Sequence, residues 1–237
     1  MFGEQKQMVQ PPTHRAFSYP SWLYNNTACG NTAVCKPSEF TSLTAFLLCT
    51  VLKEAGLPAG VVNMVFGTGM GAGQAIVEHP RIPLISFTGG TVTGAKIIAN
   101  SARFFKKLSL ELGGKNANIV FADCDFDLAL KTTLRSSFAN QGEICLCGSR
   151  IFIEKPIYDK FVSALVQGAK ALKVGDPTQK DTNLGALVSK DHWDKVVGYI
   201  ELGEKEGGKI ECGGQKPTTL DDEFKDGYFL EPTIISG

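Results

Sequence analysis

The residue best suited to covalent chemistry is Cys145, in the run Asn140-Gln-Gly-Glu-Ile-Cys-Leu-Cys147. Glycines on both sides of it predict an exposed loop between a helix and a strand, in which backbone N–H groups surround the thiol. A free thiol has a pKa of about 8.5 and needs such donors, or a base, to be nucleophilic near neutral pH. Buried structural cysteines are commoner than nucleophilic ones, so a structural role is the alternative.

A second candidate is Glu111, which lies between two leucines in Leu110-Glu-Leu-Gly-Gly-Lys115. A carboxylate in an apolar run is costly to bury unless it is paired, or unless its pKa rises so that it can carry protons. Glu111 is therefore a candidate general base. The alternative is a structural salt bridge with Lys107 or Lys115.

Two glycine-rich turns follow apolar strands and open helices, an arrangement that lets backbone N–H groups approach a phosphate. They are Gly67-Thr-Gly-Met-Gly-Ala-Gly73 and Thr88-Gly-Gly90. Neither is a G-x-G-x-x-G fingerprint, and no acidic residue in a strand context follows about 20 residues later. The pair indicates a dinucleotide site, and purely structural turns are the alternative.

The segment Lys36-Pro-Ser-Glu39 follows a short predicted strand. Pro37 favours an extended turn, from which Lys36 and Glu39 could reach a crevice at the carboxyl end of the strand. An ammonium and a carboxylate together suit the hydroxyl groups of a ribose. The alternative is a surface loop in which Ser38 or Glu39 lies near the cap of the next helix.

Composition limits the function classes. The chain has 237 residues, 43% of them hydrophobic, and 24 basic residues balance 24 acidic ones, which argues against nucleic acid as the main partner. No apolar run approaches the ~20 residues of a membrane span, and no signal-peptide core is visible, so we expect a cytoplasmic location and no membrane contact. Seven irregularly spaced cysteines indicate reduced thiols, and the three histidines lie far from Cys145, so we expect no metal.

The elements that would position these residues alternate between short strands and amphipathic helices. Residues 1–28 are polar and contain prolines, which predicts a loose arm. The predicted strands are 32–35, 61–66, 84–87, 108–110, 117–121 and 150–153. The predicted helices are 41–55 with Thr41 as its cap, one from each glycine turn to about 79 and to 102, and 125–138, 157–172 and 192–202. Surface loops are expected at 207–214 and 221–227. Such repeated units are typical of an α/β fold with a parallel sheet, here in two lobes that meet near residue 114.

In this order and spacing, four motifs resemble the aldehyde dehydrogenase superfamily. They are Lys36-Pro-Ser-Glu39, Phe87-Thr-Gly-Gly90, Leu110-Glu-Leu-Gly-Gly-Lys115 and Gln141-Gly-Glu-Ile-Cys145. Gly227-Tyr-Phe-Leu-Glu-Pro-Thr233 is similar to a further stretch of the family, and the resemblance covers residues 29–237. The run from Arg135 to Cys147 resembles the subgroup of 2-aminomuconic semialdehyde dehydrogenases, which act in tryptophan breakdown.

The resemblance implies a partial aldehyde dehydrogenase fold, with an unmatched arm at residues 1–28. Residues 29–113 would form a truncated Rossmann-like NAD-binding lobe, and residues 114–237 part of the α/β catalytic lobe. NAD is the implied cofactor, and a small-molecule aldehyde is the implied substrate. The family forms homo-oligomers through strands for which this sequence shows no counterpart.

By resemblance, Cys145 attacks the aldehyde to give a thiohemiacetal whose hydride passes to NAD, and Glu111 activates the water that hydrolyses the resulting thioester. Lys36 and Glu39 would hold the adenine ribose, and Glu39 would disfavour the 2′-phosphate of NADP. Cys147 would be a bystander. The implied cofactor-binding residues are Lys36, Ser38, Glu39, Gly69, Gly73, Phe87, Thr88, Gly89, Gly90 and Leu112. Position 90 is usually serine in the family, so we expect backbone to replace any hydroxyl contact there.

Two family motifs have no counterpart in this sequence. One is the Pro-Trp-Asn segment that supplies an oxyanion-hole asparagine, since Asn25 and Asn26 are too close to Lys36 to replace it. The other is Glu-Ile-Phe-Gly-Pro, whose glutamate binds the nicotinamide ribose. Loss of one oxyanion donor costs about 10²–10³ in rate, so we expect weak or no turnover. Two alternatives stay open: an interaction partner of full-length family subunits, and an NAD-independent thioester hydrolase that uses Cys145 and Glu111.

Overall fold

A computed structural model describes residues 27–237 of the chain. The arm predicted at residues 1–28 lies almost entirely outside the described residues. Contacts between Cα atoms divide the described chain into two units, residues 27–113 and residues 114–237.

The first unit, residues 27–113, alternates strands with helices. Its strands are β1 (Ala33–Cys35), β2 (Val62–Met64), β3 (Leu84–Gly89) and β4 (Lys107–Leu112). Its helices are α1 (Ser42–Glu54), α2 (Gln74–Glu78), α3 (Thr91–Ser101), a π-helix (Gly69–Gly73) that leads into α2, and 3₁₀ helices at Glu39–Thr41 and Ala102–Phe104. β1 pairs in parallel with β2, and β3 pairs in parallel with β4. Helices carry the chain back between these strands, as parallel pairing requires.

A small apolar core joins β3 and β4 to the neighbouring helices. Val77 of α2, Ile85 of β3 and Ile97 of α3 are buried together, and leucines of β4 pack against them. Successive residues of β4 alternate between exposed and partly buried, because the side chains of a strand point to opposite faces. Only one face of β4 therefore contributes to this core.

Helix α3 approaches β4 closely at a glycine. A Cβ atom added at Gly94 would lie 2.8 Å from Leu112 Cδ2, so the Leu112 side chain would have to shift to admit one. The missing side chain lets the backbone of α3 pack on the carboxyl end of β4. This contact fixes the position of the strand end that carries Glu111.

The second unit, residues 114–237, combines a parallel and an antiparallel strand pair with three longer helices. Its strands are β5 (Ala117–Val120), β6 (Arg150–Ile153), β7 (Lys209–Cys212) and β8 (Ile234–Ser236). Its helices are α4 (Phe126–Phe138), α5 (Tyr158–Lys170), α6 (Lys190–Lys205) and 3₁₀ helices at Ala139–Gly142, Lys155–Ile157 and Asp222–Phe224. β5 pairs in parallel with β6, and β7 pairs antiparallel with β8.

Local signals explain where the helices of the second unit begin. Asp125 Oδ1 accepts a hydrogen bond from Leu128 N at 3.1 Å and caps α4, so the helix predicted to begin at residue 125 begins one residue later. Ser189 Oγ accepts from His192 N at 3.3 Å, so α6 begins two residues before the predicted start. The Phe126 ring meets the Phe161 ring edge-on at 5.5 Å between centroids, which joins α4 to α5.

Two local predictions are wrong, and one strand was missed. Residues 207–214 were expected to be a surface loop but contain β7, and β8 was not expected at all. Both strands are very short and pair across more than twenty residues, so neither carries a recognisable periodic signal. The predicted cap of α1 also fails, because Thr41 forms no side-chain capping bond and belongs to the preceding 3₁₀ helix.

Candidate active site

Cys145 lies in the connection from α4 to β6, residues 139–149, which we call the cysteine loop. β5 and β6 are parallel, so the loop ends at the same edge of this pair at which β5 begins. Asn116, directly before β5, is therefore its neighbour. The Asn116 side chain donates from Nδ2 to Cys145 O at 2.7 Å and to Cys147 O at 3.4 Å. One amide thus fixes the backbone on both sides of position 146.

The cysteine loop begins with three consecutive residues in the left-handed region. The φ angles of Asn140, Gln141 and Gly142 are 57°, 56° and 73°. This conformation costs a non-glycine residue about 1–2 kcal/mol, and asparagine tolerates it better than most. A Cβ at Gly142 would also lie 3.0 Å from Ser137 O, so glycine suits both the φ angle and the space. The turn ends α4 and stores strain next to the candidate nucleophile.

The far side of the loop is bonded back to α4. Gly148 N donates to Ser136 O at 3.2 Å, and Ser137 Oγ donates to Gly148 O at 2.9 Å. Within the loop, Cys147 N donates to Ile144 O at 2.9 Å. The segment that carries Cys145 is therefore held at both ends, with its thiol between two fixed points.

Accessibility separates Cys145 from the buried cysteines of the chain. All seven are free thiols; Cys145 and Cys29 are exposed, whereas Cys35, Cys147 and Cys212 are buried. Burial raises the pKa of the Cys35 thiol to about 11, which keeps that thiol protonated near neutral pH. Because Cys145 is exposed, a solute can reach its thiol. The alternative of a buried structural cysteine therefore does not describe Cys145.

Glu111 is exposed at the carboxyl end of β4. The expectation of a carboxylate buried between two leucines is wrong, because Leu110 and Leu112 lie on the opposite face of the strand from Glu111. Within residues 27–237, no ion pair joins Glu111 to Lys107 or Lys115. An exposed carboxylate at a strand end can meet water directly, which is a requirement for a base that activates water.

The structure brings Lys36 together with the first glycine turn. β1 and β2 are parallel, so Lys36 after β1 and Gly67 after β2 lie at one edge. Lys36 Nζ donates to Gly67 O at 2.9 Å and to Pro37 O at 2.6 Å. Its Nζ also lies 3.7 Å from Glu39 Oε2. The two motifs therefore form one surface at the carboxyl edge of this strand pair.

The segment that follows β1 caps a helix and leaves one acidic side chain half exposed. Ser38 Oγ accepts from Phe40 N at 3.4 Å and caps the 3₁₀ helix at Glu39–Thr41. The capping alternative is thus correct for Ser38. It does not exclude a ligand role for Glu39, whose side chain is half exposed.

Both glycine turns leave backbone accessible at the start of a helix. In the first, Thr68 Oγ1 accepts from Gly71 N at 3.1 Å, and a Cβ at Gly69 would meet no atom within 4 Å. In the second, Gly90 directly precedes the eleven-residue helix α3 and also has open space at its Cβ position. A Cβ at Gly89 would meet the tip of the Phe87 ring, so a side chain there would require that ring to move. These features suit the approach of an anion to helical N–H groups.

The predicted site residues fall into both units. The cofactor candidates and Glu111 belong to residues 27–113, and Cys145 belongs to residues 114–237. The sequence patterns did not predict that Asn116 holds the cysteine loop or that Thr68 caps the first glycine turn. A polar residue next to a strand is a weak signal for Asn116, and a polar residue within a glycine turn is a weak signal for Thr68. The sequence patterns also missed the contact between His192 and Glu143, for which no local signal exists. Within residues 27–237, no cluster of three or more His, Cys, Asp or Glu side chains could hold a metal ion.

The sequence pattern of the aldehyde dehydrogenase family matches residues 21–237. The chain therefore belongs to the aldehyde dehydrogenase family. The match begins at residue 21, whereas the sequence motifs supported a resemblance from residue 29 onward. No helix within residues 27–237 is both long and apolar enough to cross a membrane.

Individual relatives agree with this assignment. The chain is 54% identical over 211 residues to the 2-aminomuconic semialdehyde dehydrogenase of Danio rerio, a match that covers 89% of this chain and 43% of that protein. The structure is similar to HpcC from Thermus thermophilus, with a TM-score of 0.84, 42% identity, and coverage of 88% of this chain and 41% of that one.

A further similar structure is betaine aldehyde dehydrogenase from Staphylococcus aureus in complex with NAD⁺, with a TM-score of 0.82 and 40% identity over 86% of this chain and 40% of that one. The chain thus spans less than half the length of the relatives it matches. Its mixed helices and strands form a partial aldehyde dehydrogenase fold.

Proposed function

We propose that this chain oxidises an aldehyde to a carboxylic acid with NAD, and that Cys145 is the nucleophile. The observation that carries the proposal is the exposed Cys145 thiol on a backbone fixed by Asn116 and by the end of α4. Fixed geometry matters because a nucleophile that is held in place avoids part of the entropic cost of reaching its reactive position.

The chemistry divides between two side chains. Cys145 Sγ, as the thiolate, attacks the aldehyde carbon, and the new C–S bond gives a thiohemiacetal. When bound, NAD supplies the two-electron oxidation by accepting the hydride of that carbon. Glu111 then accepts a proton from the water that attacks the resulting thioester. The C–S bond breaks, the acid leaves, and Cys145 is regenerated.

The residues at the carboxyl edge of β1–β2 fit an adenine ribose. An ammonium has three donors, and Lys36 uses two of them on backbone carbonyls, which leaves one for a ribose hydroxyl. The half-exposed Glu39 can accept from a second hydroxyl and would repel a 2′-phosphate, which favours NAD over NADP. Ser38 lies between them, and Gly73 packs against the Lys36 side chain.

The remaining cofactor candidates surround the two helix starts. Gly69 and Gly90 have open space where a phosphate could approach, and Thr88 and Gly89 lie just before α3. Phe87 and Leu112 lie near this turn at the ends of β3 and β4. We assign the pyrophosphate to these N–H groups by the general preference of anions for helix N-termini.

We propose a semialdehyde as the substrate class, with 2-aminomuconate semialdehyde of tryptophan catabolism as its leading member. The 54% identity to the Danio rerio enzyme supports this proposal. We also propose a cytoplasmic location, since seven free cysteines suit a reducing compartment.

Calorimetry with NAD tests the cofactor assignment. The double variant Lys36→Ala/Glu39→Ala should lose NAD binding, because it removes both ribose partners. Lys53→Ala/Glu54→Ala is the matched control, since it removes the same pair of charges from the exposed end of α1. Equal NAD affinity in both double variants would reject the assignment.

Aldehyde oxidation tests the nucleophile. Cys145→Ser should abolish NADH formation from a semialdehyde, whereas Cys147→Ser, at a buried position two residues away, should keep most of it. Loss of activity in Cys147→Ser alone would overturn the assignment of Cys145.

A second candidate function follows from exposed apolar side chains at the start of α1. Phe40, Leu43 and Phe46 are 64%, 72% and 57% exposed, and such patches mark interaction surfaces. In this alternative the chain binds a full-length aldehyde dehydrogenase subunit and has no turnover of its own. Co-purification with such a subunit, combined with no NADH formation by the chain alone, would favour it.

A third function would use the cysteine without NAD. A thioester hydrolase based on Cys145 and Glu111 would release p-nitrophenol from p-nitrophenyl acetate in a burst and then turn over, at a rate indifferent to NAD. NAD-dependent oxidation of a semialdehyde by the same preparation would exclude this alternative.

A further inference from the structure

Two side-chain contacts tie the cysteine loop to residues 186–192. Gln141 Nε2 donates to Ala186 O at 3.2 Å. Glu143 Oε1 lies 3.2 Å from His192 Nε2. We call these two contacts the clamp. They involve the residues four and two positions before Cys145, so they hold the segment of the loop that directly precedes the thiol.

The clamp acts where the backbone is strained. Gln141 has a φ angle of 56° and follows Asn140 at 57°, two successive non-glycine residues in the left-handed region. Such residues persist only when the surrounding structure determines their conformation. The bond from Gln141 to Ala186 and the pairing of Glu143 fix the side chains on both sides of Gly142. Without them, relaxation of this turn would move Cys145.

The other side of the clamp is itself fixed. Leu187 N donates to Tyr228 O at 2.9 Å, and Trp193 Nε1 donates to Phe229 O at 3.1 Å. His192 lies between these two attachment points, in the first turn of α6. The clamp therefore connects the strained turn to a segment that is itself held by two hydrogen bonds.

The contact between Glu143 and His192 is partly shielded from water. The Glu143 side chain is 20% exposed and the His192 side chain is 35% exposed. An ion pair or charged hydrogen bond that is partly shielded from water is stronger than the same contact at an open surface. Glu143 Oε1 is a buried atom, and the imidazole Nε2 is a polar group that lies 3.2 Å from it.

We propose that His192 is a positioning residue for Cys145, which acts through Glu143 to hold the cysteine loop in its reactive conformation. This inference rests on the proposed function of Cys145 as the nucleophile. His192 contacts neither the thiol nor a substrate, so its loss should lower kcat and the rate of thiol acylation. KM for the aldehyde should stay nearly unchanged.

Hydrogen exchange of the full chain tests the clamp without NAD or aldehyde. His192→Ala should raise amide exchange in peptides that span residues 139–149 by about two- to tenfold, the range expected for loss of one polar contact. Lys195→Ala, an exposed change on the same helix, is the control and should leave the loop unchanged. Equal exchange in His192→Ala and the unmodified chain would overturn the proposal.

A double-mutant cycle separates positioning from general destabilisation. Glu143→Ala and His192→Ala should each accelerate loop exchange, and the double variant should be no worse than either, because both remove the same contact. Additive effects would contradict the clamp. If His192→Ala fails to fold, Glu143→Leu carries the same prediction, since it removes both carboxylate oxygens at similar volume.

Acylation of Cys145 by p-nitrophenyl acetate supplies the chemical readout. The rate should fall about two- to tenfold in His192→Ala and recover in His192→Gln, whose amide can donate to Glu143. A failure of His192→Gln to recover would contradict positioning by a donor. If Cys145→Ser leaves acylation unchanged, the proposed nucleophile is wrong, while the exchange result still decides whether the clamp exists.

Discussion

The Gly67–Gly73 turn lies at the carboxyl edge of one parallel strand pair, and the cysteine loop lies at the amino edge of another. Different kinds of contact hold the two segments. The glycine turn follows β2 at the carboxyl edge of β1–β2, where ligands of open α/β sheets generally bind. The cysteine loop precedes β6 at the amino edge of β5–β6. Its partners Asn116 and Ala186 are 29 and 45 residues away from the groups they bond.

This difference indicates how the two regions respond to change. The glycine turn is built mainly from its own backbone and from Thr68, with one distant partner in Lys36. The cysteine loop depends on side chains from other parts of its unit. Distant substitutions in the second unit should therefore alter the chemistry of the Cys145 thiol without altering the Gly67–Gly73 turn.

The largest expected effect is a loss of folding stability at high pH, caused by Cys35 in the first unit. The buried Cys35 thiol has its pKa raised from 9.0 to about 11. The unfolded chain loses this proton first, so folding stability should fall as pH rises from 9 to 11 and then level off. Two pKa units correspond to at most about 2–3 kcal/mol. Urea unfolding at several pH values measures this loss.

Cys35→Ala supplies the control for that experiment, since it should flatten the stability profile between pH 9 and 11. Iodoacetamide at pH 8 gives an independent check, because exposed Cys145 should react well before buried Cys35. Early alkylation of Cys35 would contradict the burial argument.

The next effect is a packing change beneath Glu111. Gly94→Ala should destabilise the first unit by about 2 kcal/mol, because its Cβ would lie 2.8 Å from Leu112 Cδ2. Gly198→Ala in α6 is the matched control, where no atom lies within 4 Å of the added Cβ, and it should be neutral or stabilising. Thermal unfolding compares the two, and similar shifts would reject the close approach of α3 to β4.

A smaller effect is expected in the cysteine loop. Gly142→Ala should cost about 1–2 kcal/mol, because φ is 73° and the Cβ would meet Ser137 O. It should also slow acylation of Cys145. Gly175→Ala, which has open space and no positive φ, should change neither stability nor acylation. Unchanged acylation in Gly142→Ala would show that the turn does not position the thiol.

The smallest expected effect is on the acylation rate of Cys145, and it compares the loss of one asparagine in each unit. Asn116→Ala should slow acylation of Cys145 about fivefold, the equivalent of about 1 kcal/mol, by freeing Cys145 O. Asn63→Ala removes a comparable asparagine that bonds Ala33 O and Gly60 O in the first unit, and it should leave acylation unchanged. Equal slowing in both variants would contradict the contrast between the regions.

Local patterns predicted much of the first unit. The alternation of β1 to β4 with helices, and the position of the glycine turns at strand ends, follow from periodicity and from glycine. The exposure of Glu111 was missed, although its strand alternates, because the two flanking leucines suggested burial. Period-two geometry places those leucines on the other face.

The second unit was less predictable for a physical reason. The partners of the cysteine loop are set by how β5, β6 and α6 come together, and no short window of sequence contains both members of such a pair. Asn116 is adjacent to the loop only because β5 and β6 are parallel neighbours. His192 reaches Glu143 across 49 positions of chain, and the short strands β7 and β8 escaped detection for the same reason.

The central claim is that Cys145 carries the oxidised substrate as a thioester. The most direct measurement is mass spectrometry of the Glu111→Gln variant after incubation with succinate semialdehyde, with and without NAD. Slowed hydrolysis should trap an acyl group on the Cys145 peptide only when NAD is present. No acyl adduct with NAD, or an adduct on a different cysteine, would contradict the account.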